Sequence, residues 1–198
     1  MNKEDTITWQ DAEAVTKELL SRLCPLDQAL LDSFDSQTGI YVVAYSGKDL
    51  GYHLWGNDGP RVVYAGKSKS NSSRHFISGQ TGTSTLRRSL AALLQSQLDL
   101  VPVPRSLDSN DDDRYINYML DQQGEEKLTV WMKDNFSGAL YQTEAEKVDQ
   151  LLNAVIAYNV PMFNFQNNPE NKYGAEIKAL RKKCGDQAIK NGKLLVNE

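Results

Sequence analysis

The stretch "VYAGKSKSNSSRHF" (63–76) sets a tyrosine, two lysines, an arginine and a histidine together without one acid. The deficit of acid runs further. Residues 61–89 hold Arg61, Lys67, Lys69, Arg74, Arg87 and Arg88 and no Asp or Glu, in a chain of net charge −4. Cations with no compensating charge nearby form a surface suited to a polyanion, and phosphate is the group that lysine and arginine hold best. A second basic run spans 172–193, with Lys172, Lys178, Arg181, Lys182, Lys183, Lys190 and Lys193 against Glu176 and Asp186; the solvated face of a helix explains it equally well.

Several familiar chemistries are excluded. "RVVYAGKS" (61–68) ends like a phosphate-binding loop but has Arg61 where the first glycine belongs, and strand-forming residues where that loop needs freedom. "GQTGTST" (79–85) has no lysine, yet it runs into a helix start, and such an end can bind a phosphate. The two histidines, His53 and His75, and the two cysteines, Cys24 and Cys184, have no zinc-ligand spacing. The cysteines read as reduced thiols, His53 as a surface residue of a loop, and no triad of serine, histidine and carboxylate stands out.

The elements that must position these residues are legible from patterning. "WQDAEAVTKELLSR" (9–22) has helical spacing, stopped by Cys24–Pro25, and "LDQALLDSF" starts a further turn or two. "GIYVVAYS" (39–46) and "RVVYAG" (61–66) read as two strands of an antiparallel hairpin around a long glycine-bearing loop. A short helix is expected near 70–78. "STLRRSLAALLQSQ" (84–97) is a helix capped by Ser84 or Thr85, with Leu86, Leu90, Leu93 and Leu94 on one face and Arg87 and Arg88 on the other. "DRYINYML" fits strand or helix, "EEKLTVWMKDN" and 146–159 fit helices, and residues after Pro169 fit a basic terminal helix. With 40% apolar and 24% charged residues the chain is long enough for one core plus helical extensions. No apolar stretch is long enough for a membrane span, and no signal-peptide core opens the chain, so a cytoplasmic protein is expected.

A tyrosine in a strand is ordinarily packing. Here the order Gly39-Ile40-Tyr41, then Tyr64-Ala65-Gly66, then Arg74, then "PMFN" ending at Asn164, resembles the GIY-YIG nuclease superfamily over residues 38–166. The resemblance implies an α/β (α+β) fold: a small central antiparallel or mixed sheet flanked by helices. It divides the chain into an N-terminal helical extension (1–37), a nuclease-like domain (38–166) and a basic C-terminal helix (167–198). The N-terminal helices would cover the core or pair two copies as a homodimer.

The implied activity is hydrolysis of a phosphodiester in DNA, or in RNA by the same chemistry. It needs an activated water, positive charge on the phosphoryl oxygens and a stabilised leaving oxygen. By resemblance Tyr41 is the general base, Tyr64 orients phosphate or water, and Arg74 clamps the scissile phosphate. Lys67 and a single Mg²⁺ or Mn²⁺ favour the phenolate, since a free phenol with a pKa of about 10 is a weak base at neutral pH. Asn164 closes the site, and His75 stands near a position that the superfamily sometimes gives to histidine. Lys69, Arg87 and Arg88 would follow the DNA backbone. The superfamily's metal-binding glutamate stands twelve residues before the asparagine, and that position is Leu152. Two readings follow: an enzyme whose metal is held by Asp149 or Glu146, with Glu144 further off, or a binding module that has lost its metal.

Overall fold

The computed structural model describes residues 6–45, 61–106, 108, 111 and 113–195; the loop containing His53 lies outside them. In chain order they form α1 (Trp9–Ser21), β1 (Cys24–Pro25), α2 (Gln28–Ser36), β2 (Gly39–Tyr45), β3 (Arg61–Ser68), a tight turn at Ser72–Phe76, α3 (Thr85–Leu98), β4 (Pro102–Val103), β5 (Met119–Leu120), α4 (Gln122–Asn135), β6 (Phe136–Gln142), α5 (Val148–Asn159) and α6 (Gly174–Leu195). Two compact units result. One takes Met1–Ser73 and Lys133–Lys172, the other Arg74–Met132 and Tyr173–Glu198.

The first unit is built on a four-stranded antiparallel sheet of order β1-β6-β2-β3. β2 is buried at every position, as an apolar run must be when both of its faces are covered. Ile40 and Val42 point into a core shared with Ala12, Val15 and Leu19 of α1 and Leu151, Val155 and Ile156 of α5. Tyr41, of opposite parity, points the other way, where Phe34 of α2 stacks on it at 4.4 Å between ring centroids. Local chemistry starts these helices: Thr8 and Asp11 form a reciprocal cap on α1, and the Asp27 carboxylate accepts from Leu30 N at 2.9 Å.

The second unit packs α3 against α6 beside a small β4–β5 ladder. Leu86, Leu90 and Leu94 of α3 are buried, as are Ile177, Cys184 and Ala188 of α6. Both cysteines are free thiols.

The expected helices and the β2–β3 hairpin pairing are present, and the mixed α/β class holds. The strand that the patterning did not reveal is β6. Its "FSGALYQ" is weakened by Ser137, Gly138 and Ala139 and follows a helix without punctuation. Yet it lies in the middle of the sheet, because Leu26, Leu30 and Phe34 press on Gly138 where a larger residue would collide. "DRYINYML" contributes only the two-residue β5.

Two glycines set how closely the strands approach. A Cβ on Gly39 would lie 2.1 Å from the Tyr141 carbonyl oxygen, and one on Gly66 would lie 2.6 Å from Cζ and Oη of Tyr41, the residue directly across the ladder. Gly66→Ala should therefore displace the Tyr41 ring and cost about 1–3 kcal/mol, the usual penalty of overpacking. Thermal melts should show a smaller cost for Gly66→Ala in a Tyr41→Ala background, where the ring is gone; equal costs in the two backgrounds would refute this contact.

Candidate functional site

The first unit brings Tyr41, Tyr64, Lys67, Lys69, Asp149 and Asn164 onto adjoining elements. The Tyr41 and Tyr64 rings stand 6.1 Å apart at 45°. Their environments differ. Tyr41 is 1% exposed, sandwiched between Phe34 and the backbone of Gly66, whereas Tyr64 is half-buried. Of the two rings only that of Tyr64 meets solvent.

Lys67 and Lys69 are exposed at the end of β3. With Asp35, Ser68, Ser70 and Asp149 they line an open groove of about 390 Å³. Three serines of this run, Ser68, Ser72 and Ser73, are hydrogen-bonded within the unit. Ser72 Oγ receives Lys69 N at 3.0 Å and donates to the Lys67 carbonyl at 2.9 Å. Ser68 Oγ lies 2.7 Å from Phe34 O and 2.6 Å from Gln37 O, tying the end of β3 to α2. Ser73 donates through N and Oγ to the two oxygens of Asp35, at 2.8 and 2.6 Å. Asp35 thereby fixes the start of the turn that carries Arg74, a role nothing in the pattern signals.

Asn164 is a structural clamp. Its Oδ1 accepts from Ala65 N at 2.9 Å and its Nδ2 donates to Ala65 O at 2.8 Å, while Phe163 N donates to Val63 O at 3.0 Å. The amide completes the outer edge of β3 as a short extra strand would. Two more asparagines hold it there: Asn168 and Asn171 each donate to the Asn164 carbonyl at 3.0 Å. The loop leaves α5 through Val160, a β-branched residue at φ 46° that few proteins tolerate without such bracing.

On α5, Asp149 is exposed and forms an ion pair with Lys67. Leu152 packs against the core of the first unit, Glu146 is exposed, and Glu144 pairs with Lys147 at 2.8 Å. Among the described residues there is no group of three side chains able to hold a metal. A divalent cation that keeps its waters and takes substrate oxygens needs only one or two carboxylates, and Asp149 already faces a cationic group beside the second motif. The carboxylates lining the groove are both occupied, Asp149 by Lys67 and Asp35 by Ser73.

In the second unit, His75, Arg87 and Arg88 are all buried. His75 is buried, with Nδ1 2.7 Å from Ser84 Oγ, so it braces the start of α3. Arg87 and Arg88, expected to lie along a DNA backbone, are buried, at 0% and 6% exposed. Arg87 Nη2 donates to Glu125 Oε2 at 2.7 Å and to Glu125 O at 3.2 Å. Glu125, 3% exposed, also accepts from Gly79 N, Thr81 N and Leu120 N. Burial pulls Arg87 below its ordinary pKa and the carboxylate opposes the shift. Two neighbouring arginines on a helix otherwise rich in leucine look solvent-facing in sequence, because the acid that holds Arg87 lies far along the chain on α4.

The chain matches the GIY-YIG catalytic domain over residues 43–183, and it belongs to that family. No curated protein and no solved structure matches it significantly. Membership makes the domain nuclease-type and nucleic-acid-directed, in a family that generally depends on divalent metal. No described helix is long and apolar enough to cross a membrane.

Two stability predictions follow from these bonds. Asn164→Ala should cost about 1–3 kcal/mol by leaving the Ala65 N–H and C=O unpaired. Asn164→Asp should cost at least as much, since it cannot donate; unchanged melting of both would leave Asn164 a purely chemical role. Glu125→Ala should cost about 3–5 kcal/mol through the uncompensated Arg87 charge, and the Arg87→Met, Glu125→Leu pair should cost less than either single change. Additive losses in that double-mutant cycle would contradict the buried pair.

Proposed function

We propose that this domain is an endonuclease hydrolysing DNA phosphodiesters at the face formed by the end of β3 and the first turn of α5. The observation that carries the reading is the two-tyrosine register: Tyr41 lies against Gly66, Tyr64 stands 6.1 Å away, and Lys67 follows immediately. The groove at Lys67 and Lys69 draws a phosphate by charge. Tyr64 meets solvent and takes the proton of the attacking water. Tyr41 is a positioning residue, its ring holding β2 to β3. The phosphate clamp that the family resemblance gives to Arg74 is the planar fork of its guanidinium. Asp149 is the residue that would hold a Mg²⁺ or Mn²⁺, after releasing Lys67. Such an ion supplies positive charge for the phosphoryl oxygens and the leaving group.

A second reading has a specific observation behind it. Leu152 occupies the usual acid position as part of the core, and the one acid near it is held by a lysine. On that reading the domain binds nucleic acid without cutting it.

A plasmid-cleavage assay with Mg²⁺ or Mn²⁺ decides between them. The enzyme reading expects Tyr64→Phe to lower cleavage by about 10²–10⁴-fold, the range of general acid–base catalysis, with an unchanged melting temperature. It also expects Asp149→Asn to abolish metal-dependent cleavage, and the Asp149→Asn, Leu152→Glu double variant to recover part of it. A parallel melt separates this from the unfolding that a charge at a core position can cause. Cleavage undiminished in Asp149→Asn would refute Asp149 as ligand and point to Glu146 or Glu144. An inert wild-type protein that still binds DNA would leave the binding reading standing.

A further inference from the structure

The first turn of α3 carries two arginines with opposite circumstances. Arg87 has the Glu125 carboxylate. Arg88 has only neutral acceptors: Nη1 donates to the carbonyls of Thr81 at 3.1 Å and Gly82 at 2.6 Å, and Nη2 lies 3.4 Å from Thr85 Oγ1. Its Nε is buried with no acceptor at all.

Other guanidiniums gather around it. The Cγ and Cδ of Arg105 lie over Gly82, 3.1 and 3.2 Å from where a Cβ there would stand. Arg181 of α6 is close enough to act on Arg88 electrostatically. Burial first, then Arg181 and Arg105, brings Arg88 down to about 10, with Tyr118 opposing. Among the described residues no carboxylate is bonded to Arg88. Tyr118 donates to the Arg88 carbonyl at 2.8 Å and burial pushes its phenol well above the usual range. Burial likewise raises the Cys184 thiol. Asp111 is held by Arg105 through Nε at 3.0 Å and Nη2 at 2.5 Å.

A buried cation with no bonded carboxylate and an N–H donor left over is a site awaiting an anion. Helix α3 adds its own positive end at the same turn. We propose that Arg88, Arg105 and Arg181, at the N-terminus of α3, bind a phosphate group, and that its source is the backbone of a nucleic-acid strand. The surroundings of Arg181 fit a strand. It lines a groove of about 380 Å³ with Lys178 and Lys182, against the single acid Asp186, and Tyr115 and Ile116 give that groove an apolar lining. Bases pack on aromatic and apolar side chains while cations follow the phosphates. The choice of a strand rests on the nuclease-family reading above; the phosphate chemistry does not.

The test uses the full chain, with inorganic phosphate and a short labelled DNA duplex as separate probes. At constant ionic strength, phosphate should raise the melting temperature of the wild type above that in chloride, and Arg88→Gln should abolish the rise. DNA affinity by anisotropy should fall about tenfold in Arg88→Gln and in Arg181→Ala, with the salt slope reduced by about one, as for loss of a phosphate contact. If Arg88→Gln does not fold, Arg181→Ala decides alone. Wild-type DNA binding unaffected by either change overturns the proposal and leaves the nuclease reading intact. An Arg88-dependent phosphate effect in a protein that binds no DNA overturns the strand as occupant and the nuclease reading with it. No phosphate effect and no loss of DNA affinity overturns the site entirely.

Discussion

The candidate site depends on how closely β2 approaches its neighbours. Hydrogen-bonded strands leave little room above the ladder, and an aromatic ring laid flat across a neighbouring strand needs a position there with no side chain. Gly66 is that position for Tyr41, and Gly39 is the corresponding clearance against the Tyr141 carbonyl on β6. With those two approaches made, Tyr41 is locked between β3 and Phe34 and everything attached to β3 is located: Tyr64 by the ladder, and Lys67 by its position just past the glycine. The motif is thus a packing device before it is a chemical one. That explains why the more deeply buried tyrosine suits positioning while its partner, 6.1 Å away, keeps contact with solvent.

The outer edge of β3 presents the next constraint. An edge strand exposes unpaired N–H and C=O groups, and here the exposed pair belongs to Ala65, in the middle of the second motif. The amide of Asn164 satisfies both at once, and Asn168 and Asn171 hold the loop that presents it. An asparagine suits this edge because one amide both donates and accepts, as a backbone unit does. The same economy appears at Asp35, whose two oxygens accept the N–H and O–H of Ser73.

What the sequence revealed divides along these lines. Strong periodicity and caps made α1, α3 and α5 legible, and β-branched runs made β2 and β3 legible. β6 escaped because its small residues, which exist to admit Leu26, Leu30 and Phe34, erase the strand signal. Tyr41, Tyr64, Arg74 and Asn164 could be named from motif order, but their burial could not: exposure is decided by what packs on top. The buried carboxylate of Glu125 was invisible for the same reason, being one acid among several on α4, with partners at Gly79, Thr81, Arg87 and Leu120.

Arg87 and Arg88 are the sharpest case, since adjacent identical residues met different ends. Successive positions on a helix point about 100° apart, so one reached the Glu125 carboxylate and the other reached Arg105 and Arg181. A guanidinium with a buried carboxylate is a finished structural element: its charge is matched and its donors are used. A guanidinium resting on carbonyls, with Nε unspent and no bonded carboxylate, is unfinished in the folded protein. Burial alone does not separate the two, because both are nearly solvent-free. Charge balance does, and it separates the arginine that holds the fold together from the one that the fold holds ready for a phosphate.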